Sequence, residues 1–231
     1  MRLDYKAQNT EFDAIWERRH QPPYVMDSWT DNEWANGRTQ YLTCLIRVQT
    51  PKIIEKVASV QRELSSYRCV DPLPPEYLHL TVKEVNGFLA EVKQQEDEYT
   101  RKELETISRQ AAEVIKTYEV FDVKLKRLNN FTSVICVEGH DGGVIREINA
   151  ELREKTGLPT LQHDTAFLPH MSVAQYRSSE DYSELIMHLE KKRETVIGPV
   201  SVECVELVIA HLPKQDGCPR LEVLEEFPLK H

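Results

Sequence analysis

No stretch of this 231-residue sequence approaches the ~18 consecutive apolar residues that a membrane-spanning helix needs. The opening MRLDYKAQNTEFD has no apolar core, so no secretory leader is expected. Basic charge is not in excess: 29 Lys+Arg stand against 38 Asp+Glu, a net of −9. A protein that tracks long nucleic acid along its backbone carries a basic footprint, and this chain has none overall. A small anion held in a local pocket remains compatible. The five cysteines are odd in number and never spaced C-x-x-C, which predicts reduced thiols and a cytoplasmic protein rather than a disulfide framework. H-E-x-x-H and H-x-x-x-H are absent, so neither a catalytic metal nor another cofactor is expected.

What is present is strong periodicity from Tyr41 onward. YLTCLIRV (41–48) reads as a buried strand. Thr50-Pro51 reads as an N-cap with proline at the first helical position, and Ile53, Ile54, Val57, Val60 and Leu64 continue a helix over 51–66. Pro72, Pro74 and Pro75 make 70–76 a loop, and YLHLTVKEV (77–85) is a strand of strict alternation. A helix near 99–118 follows, then strands 120–128 and 131–139 joined by a tight turn at Asn129-Asn130. A helix over 143–156 stops at Gly157. A strand at 168–176, a helix at 180–193 and strands at 200–212 and 221–229 complete the chain.

The two halves rhyme: each runs strand, helix, proline-bearing loop, then a strand containing His-x-Thr/Ser. The expected architecture is α+β, with two pseudo-symmetric lobes, each an antiparallel sheet with helices on its outer face and a groove between them. Residues 1–38, which hold Trp16, Trp29 and Trp34, show no clean period. They are expected to form an irregular extension packed on a single domain spanning 39–231, the indoles buried against that domain rather than stacked on a nucleobase. A monomer is expected.

Strict alternation places His79, Thr81 and Lys83 on one face of the first motif strand, and His170, Ser172, Ala174 and Tyr176 on one face of the second. Two histidines, each with a hydroxyl two residues on, suit phosphodiester chemistry without a metal. One neutral imidazole takes a proton from the nucleophile, and an imidazolium donates one to the leaving oxygen. The hydroxyls donate to non-bridging phosphate oxygens. Two imidazoles in opposite roles imply a bell-shaped rate, with limbs between roughly pH 5 and 8.5. The pattern His-x-[Ser/Thr] also occurs at His163, but between Pro159 and Pro169, in a loop. The basic clusters Lys124-Lys126-Arg127 and Lys191-Lys192-Arg193 are read as solvated faces.

LHLTVK and PHMSV, in that order and 91 residues apart, resemble the two-histidine (2H) phosphoesterase superfamily, which includes 2′-5′ RNA ligase-like proteins and cyclic nucleotide phosphodiesterases. The similarity runs from about Tyr41 to Leu229. It implies a bilobal fold and metal-independent opening of 2′,3′-cyclic phosphates on an RNA 3′ end or a small nucleotide. By the same match His79 and His170 are the acid/base pair, and Thr81 and Ser172 bind phosphate. Lys83 and Tyr176 are candidate substrate contacts. The position five after the second histidine, often Arg in such relatives, is Gln175. Cleavage or joining of 2′-5′ linkages is the alternative chemistry, and a non-catalytic module that binds an RNA end or nucleotide is the alternative class.

Overall fold

In the computed structural model, which describes residues 5–25, 28–30, 34–159, 161, 166–214 and 217–231 (side chains of residues 5 and 6 excepted), the alternating runs build two five-stranded sheets. The first contains β1 (Gln40–Arg47), β3 (His79–Leu89), β4 (Glu98–Tyr99), β9 (Cys204–His211) and β10 (Arg220–Pro228), in the order β10-β9-β1-β3-β4. The second contains β2 (Val70–Pro72), β5 (Phe121–Phe131), β6 (Val134–His140), β7 (His170–Tyr176) and β8 (Val196–Val202), in the order β2-β7-β6-β5-β8. All pairings are antiparallel except β3 with the short β4. The fold is therefore the α+β, two-lobed arrangement expected of it.

Helices form where apolar residues recur at three and four. In α3 (Arg101–Ile115) the face Leu104, Ile107, Ala111, Val114 and Ile115 is buried. Its first turn is closed by a capping box: the Thr100 hydroxyl accepts from the Glu103 backbone N–H, and the Glu103 carboxylate accepts from that of Thr100. α4 (Val144–Thr156) is preceded by Asp141, whose carboxylate accepts from the N–H groups of Gly143 and Ile145 at its first turn, and it ends at Gly157, whose φ of +68° terminates it as expected. α2 (Pro51–Leu64) begins at proline, although the Thr50 side chain makes no cap hydrogen bond. α5 is Tyr182–Lys191.

The helices exchange partners between the halves. α2 follows β1 of the first sheet but lies on the second, where Lys56 donates to the Ile197 carbonyl. α4 follows β6 of the second sheet but lies on β3 of the first. The apolar layer under the helices is consequently one continuous core drawing on both sheets, from Leu42, Ile46 and Val82 to Val137, Met171 and Val173. It leaves the opposite faces of the sheets to form the groove.

Four expectations fail locally. The start of the expected loop 70–76 is strand β2, which pairs with the edge of β7. The N-terminal extension is not irregular throughout: Tyr5–Glu17 is a helix, α1, lying against β5 and anchored by the fully buried Phe12. Its apolar stripe is only Phe12, Ile15 and Trp16, too sparse for a period to show. The β5–β6 turn falls at Thr132-Ser133, not at Asn129-Asn130; both asparagines lie inside β5, buried and hydrogen bonded. The run 200–212 is not one strand. It breaks at Glu203, where the chain passes from β8 in one sheet to β9 in the other. The buried positions step by two through Val200 and Val202, then by three to Val205, and that break in phase marks the switch.

Candidate active site

The two motif strands, β3 and β7, run beside each other where the sheets meet. Each carries the same irregularity. In β3, Thr81 pairs with Leu45 and Lys83 with Cys44, so Val82 is a bulged residue. In β7, Ser172 pairs with Cys136 and Ala174 with Ile135, so Val173 is its counterpart. A bulge advances the pleat by one residue, and alternation resumes out of phase.

Before the bulges the structure places the sequence candidates as expected. His79 and Thr81 project from the groove face of β3, and His170 and Ser172 from that of β7. After them it does not. Lys83 is fully buried, on the same side as its neighbour Cys44, and cannot present an ammonium to the groove. Tyr176 is buried in the core and its hydroxyl pairs with Asn130. The residues that take the groove face instead are Glu84 and Gln175, each five after its histidine. Glu84 accepts from the Tyr41 hydroxyl at 2.9 Å, and Gln175 donates to Asp71 at 3.1 Å. A signal was present in the apolar spacing. Leu78, Leu80 and Val82 step by two, but the next apolar residue is Val85, a step of three. His163 lies outside the described residues.

The bulges are clamped in matching fashion. The Val82 carbonyl accepts from the Asn149 amide of α4 at 2.8 Å. The Val173 carbonyl accepts from the Gln61 amide of α2 at 2.8 Å, and also from the Leu73 N–H. The exchanged helices thus each hold the bulge that follows the other half's histidine and hydroxyl.

Both imidazoles are oriented by their own strands. His79 Nδ1 lies 2.6 Å from the Tyr77 carbonyl oxygen, and His170 Nδ1 lies 2.8 Å from that of Leu168. A carbonyl only accepts, so in each neutral ring Nδ1 carries the proton and Nε2 is the basic nitrogen. Tyr77 stands edge-on to His79 at 4.9 Å between centroids, and Phe131 packs on His170 at 4.5 Å. Burial lowers the His79 pKa to about 4; the Tyr77 carbonyl opposes the shift, and the charge on His170 adds to it. The last effect places the two rings within electrostatic reach of each other.

Around His79 the groove holds a cavity of about 220 Å³, whose walls include Thr81, Glu84, Tyr41, Tyr77, Trp29 and Trp34. Beneath α1 the second sheet carries a buried charged network. Glu138, directly across from His170 in the β6–β7 register, is fully buried. It accepts from Asn129 at 2.8 Å, from Arg193 and from His140. Arg193 is therefore not part of a solvated basic face: Trp16 covers its guanidinium at 4.5 Å. Asn129 also donates to the Phe12 carbonyl, tying α1 to the network.

Among the described residues no three His, Cys, Asp or Glu side chains converge to hold a metal ion, and no helix is long and apolar enough to cross a membrane.

Comparison with known structures finds the same fold. The TT0787 protein of Thermus thermophilus is 18% identical over 82% of this chain and 98% of its own, with a TM-score of 0.59. E. coli LigT, solved with 3′-AMP, is 16% identical over 84% and 99%, with a TM-score of 0.58. A conserved protein of unknown function from Agrobacterium tumefaciens is 14% identical over 92% and 97%, with a TM-score of 0.55. No curated protein matches the sequence. The model of the 2′-5′ RNA ligase superfamily, however, matches residues 59–212, two thirds of the sequence and a stretch containing both histidine motifs, and by that match the chain belongs to this superfamily.

Proposed function

We propose that the protein is a metal-independent phosphodiesterase that opens 2′,3′-cyclic phosphates on RNA ends or nucleotides. The observation that carries this reading is the pair of imidazoles, each locked through Nδ1 to the carbonyl two residues before it, with Nε2 as its reactive nitrogen and a hydroxyl two residues on. With a depressed pKa, His79 is neutral at pH 7 and is assigned the base. His79 Nε2 takes a proton from water as the water oxygen bonds to phosphorus. The P–O3′ bond breaks, and His170, entering as imidazolium, returns a proton to O3′, leaving a 2′-phosphate. Thr81 and Ser172 donate to the non-bridging oxygens. E. coli LigT has been solved with 3′-AMP, a ligand of the size proposed here.

The test is turnover of the four nucleoside 2′,3′-cyclic monophosphates by EDTA-treated protein, with product identification. The expected product is the 2′-phosphate, at a rate unchanged by chelation. His79→Ala and His170→Ala should each lower kcat by roughly 10²–10⁴, and the double variant by less than the product of the two. On a nitrophenyl phosphodiester, whose leaving group needs no proton, the His170 variant should recover and the His79 variant should not. Nucleotide binding without turnover would favour a binding module, and activity that returns only with Zn²⁺ or Mn²⁺ would replace the mechanism.

A further inference from the structure

The matched superfamily region begins at residue 59, yet Trp29, Trp34, Tyr41 and Thr43 in the walls of the cavity around His79 come from before it. Trp29 and Trp34 belong to the segment that precedes β1 and, with Tyr41, Tyr77 and Glu84, line this cavity of about 220 Å³. These indoles are held in place. Trp29 donates through its ring N–H to the Gly217 carbonyl at 3.0 Å, bridging to the loop between β9 and β10. Trp34 stands edge-on to Tyr41 at 4.8 Å and packs on Phe88 at 5.2 Å. The turn that carries Trp34 is pinned by Arg38, which donates to both Asp97 carboxylate oxygens at 2.6 and 2.9 Å and lies over the Phe88 ring at 4.0 Å. Trp34 nonetheless keeps 39% of its surface exposed, unusual for an indole built into such a frame.

Simple burial does not require these side chains to share a cavity with His79 and Thr81. A planar, π-faced group bound next to a phosphate does. We propose that Trp29 and Trp34, with Tyr41 and Tyr77, form a nucleobase site, and that Glu84 biases it toward bases presenting N–H donors. This rests on the phosphodiesterase reading for the phosphate end of the ligand. The volume suits one base, and aromatic stacking tolerates any base because each has a π-face. Selectivity falls to Glu84. A carboxylate only accepts hydrogen bonds, and Glu84, in the cavity wall, already accepts one from the Tyr41 hydroxyl. Guanine presents adjacent N1–H and N2–H donors that match a carboxylate in a bidentate pair, whereas uracil meets it with carbonyl oxygens on either side of a single N–H.

The experiment separates the base site from the chemistry. Binding of guanosine, adenosine, cytidine and uridine 3′-monophosphates, and of ribose 5-phosphate, is measured by calorimetry, with no turnover required. In parallel, kcat/KM is measured for the nucleoside 2′,3′-cyclic phosphates and for ethylene phosphate, a cyclic phosphate without a base. The expected order is guanosine tightest and uridine weakest of the nucleotides, with ribose 5-phosphate below all four. Trp34→Ala should weaken nucleotide binding about ten- to a hundredfold. It should also collapse the preference for nucleoside over base-free cyclic phosphate, and Trp34→Phe should restore most of that preference. Glu84→Gln should narrow the guanosine-to-uridine ratio. Nucleotide binding with no turnover of any cyclic phosphate would sink the phosphodiesterase reading and leave the base site standing. Equal turnover of ethylene phosphate and the nucleoside substrates, with Trp34→Ala preserving that equality, would overturn the base site. An unchanged guanosine-to-uridine ratio in Glu84→Gln would remove the role of Glu84.

Discussion

His79 gives a stability prediction that does not depend on any substrate. Its pKa falls from 6.5 to about 4 on folding because the ring leaves water. The folded state therefore resists protonation while the unfolded state accepts it. Above pH 6.5 neither state is protonated and the group has no effect. As pH falls through the window from 6.5 to 4 the unfolded chain gains a proton that the folded chain does not, and stability is lost. At about 1.4 kcal/mol for each pH unit of that window, about 3 kcal/mol is lost below pH 4 and about 2 kcal/mol is already lost at pH 5. The comparison is wild type against His79→Asn, which has no ionisable group at that position. His188, whose pKa burial also lowers, titrates in both and cancels. Urea unfolding at pH 7, 6 and 5 should show the wild type losing about 2 kcal/mol more than the variant. Parallel curves, or a gap that opens above pH 7, would refute the account. The same shift bears on turnover. The limb of kcat/KM that reports the base should lie near pH 4 to 5, below the limb expected from an unperturbed imidazole.

Three further outcomes follow from positions the bulges and helices impose. Lys83→Ala should cost about 2–5 kcal/mol in thermal or urea unfolding, as core truncations do, and change KM for a cyclic phosphate less than twofold. A tenfold rise in KM would return Lys83 to the substrate site. Glu138→Leu should destabilise by about 3–5 kcal/mol, because it strands the buried Arg193 guanidinium without its carboxylate; a neutral effect in urea unfolding would show that the network does not hold α1 and β5 together. Asn149→Leu should cost about 1–3 kcal/mol through the unpaired Val82 carbonyl. It should also lower kcat more than it raises KM, since the bulge that sets the pleat around Thr81 loses its clamp. A pure stability effect with unchanged kcat would make the Asn149 amide structural only.

How far the sequence was legible follows the range of each signal. Helix limits were set by chemistry within a few residues, Pro51 opening α2 and Gly157 closing α4, and both hold. His79, Thr81, His170 and Ser172 were placeable because the alternation running up to each bulge is undisturbed. Lys83 and Tyr176 were misplaced because they lie one and three residues beyond the bulges, where a single extra residue inverts the faces. Asn129 and Asn130 read as a turn because their turn propensity is local, whereas their partners Phe12 and Tyr182 are distant in the chain.

The bulges also explain why the rhyme between the halves is worth more than either motif alone. A histidine and a hydroxyl two residues apart would share a strand face in any sheet. Here each pair is followed at once by a bulged valine, and each valine carbonyl is held by an amide from a helix of the other half. Neither half can complete its own motif strand without the other: α2 must cross to the second sheet to reach Val173, and α4 must cross to the first to reach Val82. The exchange that makes one core of two sheets is thus the same arrangement that sets the two imidazoles beside one groove. It follows that a variant loosening α2, such as Gln61→Leu, should disturb the surroundings of His170 rather than those of His79, although Gln61 is much nearer His79 in sequence. In an NMR titration of the two imidazoles, the His170 resonance should shift and the His79 resonance should stay. The opposite pattern would mean that the helices act on the sheets they follow in the chain and not on those they cover.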